Sequence, residues 1–354
     1  MKYCSLTLLM FLQLSCGGAS PPDGETLEDL IEGIDVLLRE RHEAGELNGN
    51  ALVIQNDKVL YEASFGFADP EKQNLLTSEY RFGLGSIYKE FPALAVMQLR
   101  EKGKLKLEDR LSDHLPNLPS WATQIQIKHL LQYTAGLPPV DWGSHFAKGE
   151  VVTAETLWKE LRSLPELAFV PGTDYLYGNY PPFLLIALVE KLTNMSFHRY
   201  AMDNLFRPAG MADITLSTAF PYVDDDLMAI PFNEQGEPDD YQLADFHLLY
   251  CATARDIASW ARALHAGKLL LSNELKVLAP TQDPTDENQQ SALGNCIVDQ
   301  GEITQHMHHG SMGNYEGLFL HDPIEDLTIV LLTNQKQFNV HELVETIHAI
   351  VLDN

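Results

Sequence analysis

Ser86-Ile87-Tyr88-Lys89 sets a hydroxyl and an amine three residues apart. Phe82-Gly83-Leu84-Gly85 before it reads as a strand end and a tight turn, and the apolar run Ala93-Leu94-Ala95-Val96-Met97 follows. A helix is therefore expected to start near Ser86, and residues three apart on a helix share a face. A serine hydroxyl becomes a useful nucleophile only when something takes its proton. A lysine withdrawn from water can do that, because desolvation favours the neutral amine. A helix-capping serine beside a solvated lysine has the same spacing, so the pair needs support from elsewhere in the chain.

Two further segments supply it. Tyr177-Gly178-Asn179 lies behind the turn Val170-Pro171-Gly172 and ahead of an apolar helix starting near Pro181. His308-His309-Gly310-Ser311 lies inside a segment that reads as a strand. With these the chain resembles the serine hydrolases of the β-lactamase and penicillin-binding-protein fold, in particular the branch of class C β-lactamases, D-aminopeptidases and related esterases. Arg81 to Ser86, Ile127 to Pro138, Phe169-Val170-Pro171-Gly172, Arg207-Pro208-Ala209-Gly210-Met211 and Thr253 to Ala258 are similar to that family in type and order. The likeness covers almost everything after about Thr26.

The resemblance implies acyl transfer through a covalent intermediate. Ser86 is the implied nucleophile, and Lys89 holds its hydroxyl and assists its deprotonation. Tyr177 is the implied general base or proton shuttle. A phenol needs nearby positive charge to lower its pKa for that task, and Lys89 and Tyr177 titrate as a unit. Asn179 is expected to bond Lys89 and the substrate. The backbone N–H groups of Ser86 and Ser311 form the implied oxyanion hole, and Gly310 lets the substrate approach the strand closely.

The chain departs from the family at three places. Many relatives carry lysine where His308 stands, followed by Ser or Thr and then Gly. A largely neutral histidine holds a substrate carboxylate less well, and His309 brings no hydroxyl. His308 is thus expected to bind substrate in the manner of the esterase and D-aminopeptidase branches. Pro92 falls early in the nucleophile helix, where a kink or a 3₁₀ start is expected. Asp245 to Tyr250 replaces a turn that is often glycine-rich in relatives. Strand alternation puts His306 and His308 on one face, which raises a metal site, but no carboxylate partner is evident and no metal or cofactor is expected.

The pattern along the chain positions these groups. Leu27 to Arg39 has the spacing of an amphipathic helix. Ala51–Ile54 and Val59–Ala63, joined through Asn56-Asp57-Lys58, read as a hairpin. Helical pattern dominates from Ser86 to about Leu278, clearest at Leu184–Leu192 and Asp256–Leu264. Strand signals return at Gly294–Val298, His306–His309, Leu318–His321 and Leu327–Leu332, and Val340–Leu352 ends the chain as a helix. The expected fold is α+β: one antiparallel sheet built from both chain ends, flanked by the terminal helices, with a mainly helical lobe inserted. The α/β lobe is expected to cover about 26–85 and 291–354, and the helical lobe about 86–290, with the cleft between them.

The 354 residues are 45% hydrophobic and 21% charged, as in ordinary globular proteins, but the net charge is −26. That charge disfavours nucleic acid and anionic membrane surfaces as partners. A small-molecule or peptide substrate fits better. Lys2, the apolar stretch Leu6 to Leu14 and Ser15-Cys16-Gly17-Gly18 read as an export signal over 1–16, too short to span a bilayer. Cys16 resembles a lipoprotein cleavage site, although Gln13 stands where an aliphatic residue is usual. The expectation is a periplasmic or outer-membrane-attached lipoprotein, or else a secreted protein. A lipid on Cys16 would be the sole link to a membrane, and 17–25 a tether to a hydrolase domain over 26–354. Cys251 and Cys296 then remain in the mature chain, and free thiols are the simplest reading.

Three functions stay open on sequence alone: an exported serine hydrolase of ester, amide or small peptide bonds; a β-lactamase or D-Ala-D-Ala carboxypeptidase-type cell-wall enzyme; and a non-catalytic binding protein that retains the fold.

Overall fold

The computed structural model describes residues 26–220, 227–244, 249–280, 289–336 and 339–352. Cys16, the signal and the tether lie outside these residues, as do Asp245 to Leu248 and residues 281–288.

Six antiparallel strands form the central sheet, in the order Lys58–Phe65, Gly49–Gln55, Leu327–Thr333, Tyr315–Asp322, Glu302–Met312, Asn295–Asp299. The N-terminal hairpin thus joins the C-terminal meander through one pairing, Gly49 opposite Thr333 to Gln55 opposite Leu327. Asn56 and Asp57 turn the hairpin with positive φ (49° and 61°), as short Asx residues tolerate. The Tyr315–Asp322 and Leu327–Thr333 strands are buried throughout. Both faces of the sheet are therefore covered there; Leu327–Thr333 reads as a near-continuous apolar run, while Tyr315–Asp322 also buries Glu316, His321 and Asp322.

The terminal helices cover one face. Leu27–Glu43 is opened by a capping box between Thr26 and Asp29, which satisfies two of its free N–H groups. Its stripe of Leu30, Ile34 and Leu38 packs with Leu343, Val344 and Ile347 of the Val340–Leu352 helix and with Ala51, Val53, Leu318, Leu320, Ile329 and Leu331 of the sheet. The other face carries the larger core. There the Glu90–Glu101 helix is buried from Glu90 through Leu99, the mark of a helix surrounded by protein rather than one facing water. It packs against the Tyr180–Thr193 and Ala254–His265 helices, where Phe91 meets Phe206, Tyr250 and Trp260 edge to face at 4.8–5.4 Å.

Candidate active site

Gly85–Lys89 is a 3₁₀ turn that passes directly into the α-helix at Glu90. A 3₁₀ turn has three residues per turn, so positions three apart eclipse. This places Lys89 Nζ 3.0 Å from Ser86 Oγ. Pro92 is the third residue of the α-helix, so its missing N–H falls at the junction where the 3₁₀ turn becomes α-helix. The expected 3₁₀ start is present, and Lys89 is not displaced.

Tyr177 arrives from a separate element. Leu176 N donates to Tyr133 O at 2.9 Å, Gly172 N to Thr134 O at 2.8 Å, and Ala168 N to Gly136 O at 2.8 Å. These bonds clamp the segment before the Tyr180–Thr193 helix against 133–136. Tyr177 OH then lies 2.5 Å from Lys89 Nζ, and the ring of Tyr133 packs on that of Tyr177 at 4.8 Å between centroids. Ser86, Lys89 and Tyr177 are brought together, 88 residues apart in sequence.

Burial sets the proton inventory of this group. Lys89 is 1% exposed. Desolvation lowers its pKa from 10.5 to about 7. The Tyr177 hydroxyl moves the other way: burial raises it, and its hydrogen bond with Ser86 only partly offsets that. Burial thus moves the two partners of one hydrogen bond in opposite directions, Lys89 toward its neutral form and Tyr177 toward its protonated one.

Gly310 and Ser311 come from the Glu302–Met312 strand. The last strand pairs only with Glu302 through Met307, so from His308 onward one side of the strand is free of sheet partners. The nucleophile turn occupies that side. A Cβ on Gly310 would lie 2.0 Å from Leu84 O, and one on Gly85 would lie 2.4 Å from Ser311 N. Gly85 also has φ +49°, so glycine is required there twice over. This contact sets the backbone of Ser311 beside the start of the turn carrying Ser86. Lys336 Nζ donates to Ser311 Oγ at 2.9 Å and ties the segment after the last sheet strand to this edge.

His308 is placed differently from expectation. Its ring is 0% exposed, and Nδ1 lies 2.6 Å from Glu90 Oε1. It is therefore an interior group, not one presented to an open cleft for a substrate carboxylate. Asn179 also differs: it is half-buried at the start of the Tyr180–Thr193 helix, and the described residues show no hydrogen bond from it to Lys89. His309 turns to the opposite face and meets Glu316 Oε1 at 2.8 Å.

Glu90 is the residue that sequence reasoning missed. It is the carboxylate partner of both His306 and His308, and Trp260 Nε1 donates to its Oε2 at 2.6 Å. Burial alone would raise its pKa, but His306 and His308 outweigh this and bring it down to about 2. Its position directly after Lys89 was the available clue. Among the described residues no group of three or more His, Cys, Asp or Glu has a metal-holding arrangement, and Cys251 and Cys296 are thiols rather than a disulfide.

A β-lactamase family model matches residues 34–352. Penicillin-binding protein 4* of Bacillus subtilis (strain 168) is 33% identical over 180 residues, which are 49% of this chain and 38% of that protein. The penicillin-binding protein of Bacillus halodurans superposes with a TM-score of 0.73 at 23% identity, over 93% of this chain and 100% of that one. A class C β-lactamase solved with cefoxitin superposes with a TM-score of 0.74 at 18% identity, over 93% and 99%. At these identities the superpositions speak to the fold, which is that of the β-lactamases and penicillin-binding proteins.

Proposed function

This chain belongs to the β-lactamase family of serine hydrolases, and we propose that it hydrolyses ester, amide or small peptide bonds through an acyl-enzyme on Ser86. One observation carries the reading: Lys89 Nζ, buried and with its pKa near 7, sits within hydrogen-bond reach of both Ser86 Oγ and Tyr177 OH. Neutral Lys89 takes the Ser86 proton as Oγ bonds to the substrate carbonyl carbon. The carbonyl π electrons move onto oxygen, where the N–H groups of Ser86 and Ser311 stabilise the charge. As the tetrahedral species collapses, the leaving group departs with a proton relayed from Lys89 through the Tyr177 hydroxyl. Water then attacks the ester on Ser86 and gives its proton to Lys89; the bond from the acyl carbon to Oγ breaks, Lys89 returns the proton to Ser86 Oγ, and the acid leaves. Asn179 serves the substrate alone, since Lys89 is held by other partners.

Export of the chain as a lipoprotein on Cys16, or as a secreted protein, completes the proposal and rests on the sequence of 1–16. A cell-wall or β-lactam activity is the second reading, favoured by the likeness to penicillin-binding protein 4*. A penicilloyl adduct on Ser86 would support it, and no adduct at high drug concentration would count against it.

Turnover of p-nitrophenyl butyrate by the wild type beside Ser86→Ala tests the main proposal. Hydrolysis abolished in the variant is expected. Hydrolysis that continues undiminished without the Ser86 hydroxyl would overturn it.

A further inference from the structure

Glu90, Trp260, His306 and His308 form a buried polar cluster behind the nucleophile turn, and the acyl-transfer steps above make no use of it. Three N–H donors converge on Glu90: Trp260 Nε1 at 2.6 Å, His308 Nδ1 at 2.6 Å and His306 Nε2 at 3.1 Å. A buried carboxylate persists only with such compensation.

The partners settle which ring nitrogens carry protons. Leu293 O is an acceptor only, and it lies 2.7 Å from His306 Nε2, so His306 carries its proton on Nε2. His306 Nδ1 can then accept from His265 Nε2 at 3.0 Å. Burial, first, and the neighbouring His306 and His321 lower the pKa of His265 to about 2, so that ring is neutral. At His308 the carboxylate of Glu90 can only accept, so the proton is on Nδ1. Nε2 is then left with a lone pair, and it is fully buried without a partner.

The place of that lone pair matters. His308 is two residues from Gly310 on the same strand face, the face pressed on Leu84 and Ile87 of the nucleophile turn. Burial lowers the pKa of this ring and outweighs the opposing pull of Glu90, and Lys89 adds to the lowering.

Building on the Ser86 reading, we propose that Glu90 is a positioning residue that locks His308 in the Nδ1–H tautomer, so that an uncharged hydrogen-bond acceptor stands where many relatives carry a lysine cation. The consequence is twofold. A neutral ring does not oppose the protonation of Lys89 when it takes the Ser86 proton, as a second cation would. Its Nε2 lone pair, in a ring that is 0% exposed, also adds an acceptor rather than a charge to the interior behind the nucleophile turn.

Long-range ¹⁵N–¹H spectra of the ¹⁵N-histidine-labelled full chain test this directly, with His308 assigned from its missing signal in His308→Gln. A neutral His308 protonated on Nδ1 is expected from pH 6 to 8. An Nε2–H tautomer or an imidazolium would overturn the proposal. Glu90→Gln supplies the kinetic arm: a neutral amide offers one acceptor oxygen to the three N–H donors, so the Nδ1–H tautomer of His308 is no longer held by a carboxylate. The expected result is a kcat on p-nitrophenyl butyrate lower by about 10–100-fold, the scale of one charge-assisted hydrogen bond, with KM nearly unchanged. Reversal of the tautomer with kcat unchanged would also overturn it. Labelling of Ser86 by a fluorophosphonate reports the nucleophile separately, so failure here is distinct from failure of the Ser86 mechanism. If Glu90→Gln does not fold, the wild-type spectrum decides.

Discussion

Replacing Lys89 by methionine should abolish activity and make the protein more stable at neutral pH. The side chain is 1% exposed, and burial alone lowers its pKa from 10.5 to about 7. An unfolded lysine titrates near its ordinary value, so between pH 7 and 10.5 the unfolded chain binds more protons than the folded one. Stability contributed at this site therefore rises with pH across that window. At about 1.4 kcal/mol per pH unit, burying the amine costs about 4 kcal/mol at pH 7 and about 1 kcal/mol at pH 9.5. Methionine fills nearly the same space without a charge. It also forfeits the hydrogen bonds to Ser86 and Tyr177, about 1 kcal/mol each. The net expectation at pH 7 is a gain of about 2 kcal/mol, a few degrees in Tm. That advantage should shrink by about 3 kcal/mol on going to pH 9.5. Urea unfolding of both proteins at the two pH values measures the difference directly, and groups that titrate alike in both cancel. A methionine variant no more stable at pH 7, or a gap that does not change with pH, would mean Lys89 is an ordinary charged lysine in the fold. The base assigned to Ser86 would then be wrong.

Three further outcomes follow from the same geometry. In steady-state assays kcat/KM should rise about tenfold per pH unit below 7 and level off above it, because the neutral form of Lys89 is the active one; a flat profile from pH 5 to 8 would contradict this. Gly310→Ala puts a Cβ 2.0 Å from Leu84 O, so the strand must retreat from the nucleophile turn. A loss of about 100-fold in kcat is expected, the scale of one lost oxyanion donor, and near-wild-type turnover would show that the contact does not set the site. Trp260→Phe withdraws one donor from the buried Glu90 carboxylate and should lower stability by about 1–3 kcal/mol; denaturant unfolding within a few tenths of wild type would place that carboxylate in a better-compensated setting.

Much of this molecule was legible in sequence because its signals are local. Gly85 before Ser86, and the apolar run after it, marked the turn and the helix. Strand patterns at both ends of the chain, with helical pattern between, required a sheet closed from the two termini. The Ser86–Lys89 pairing was legible too, and Pro92 early in the helix pointed to the 3₁₀ start that tightens it. Strands of two or three residues, such as Thr215–Leu216 against Tyr250–Ala252, carry no periodicity to read. Glu90 escaped for a deeper reason. An acid in the first turn of a helix reads as a solvated residue favoured by the helix dipole. Its burial comes from Trp260, His306 and His308, 170 to 218 residues away. The burial around Tyr177 was hidden for a related reason: the rings of Tyr133 and its neighbours that exclude water from it are gathered only by the fold.

The central claim is that Ser86 carries the acyl group. Its most direct test is to quench the wild-type enzyme during turnover of a slow ester, digest it, and map the added mass by tandem mass spectrometry. An acyl group on the peptide containing Ser86, absent from Ser86→Ala, is the expected result. Turnover with no acylated serine, or an acyl group on another residue, would contradict the mechanism.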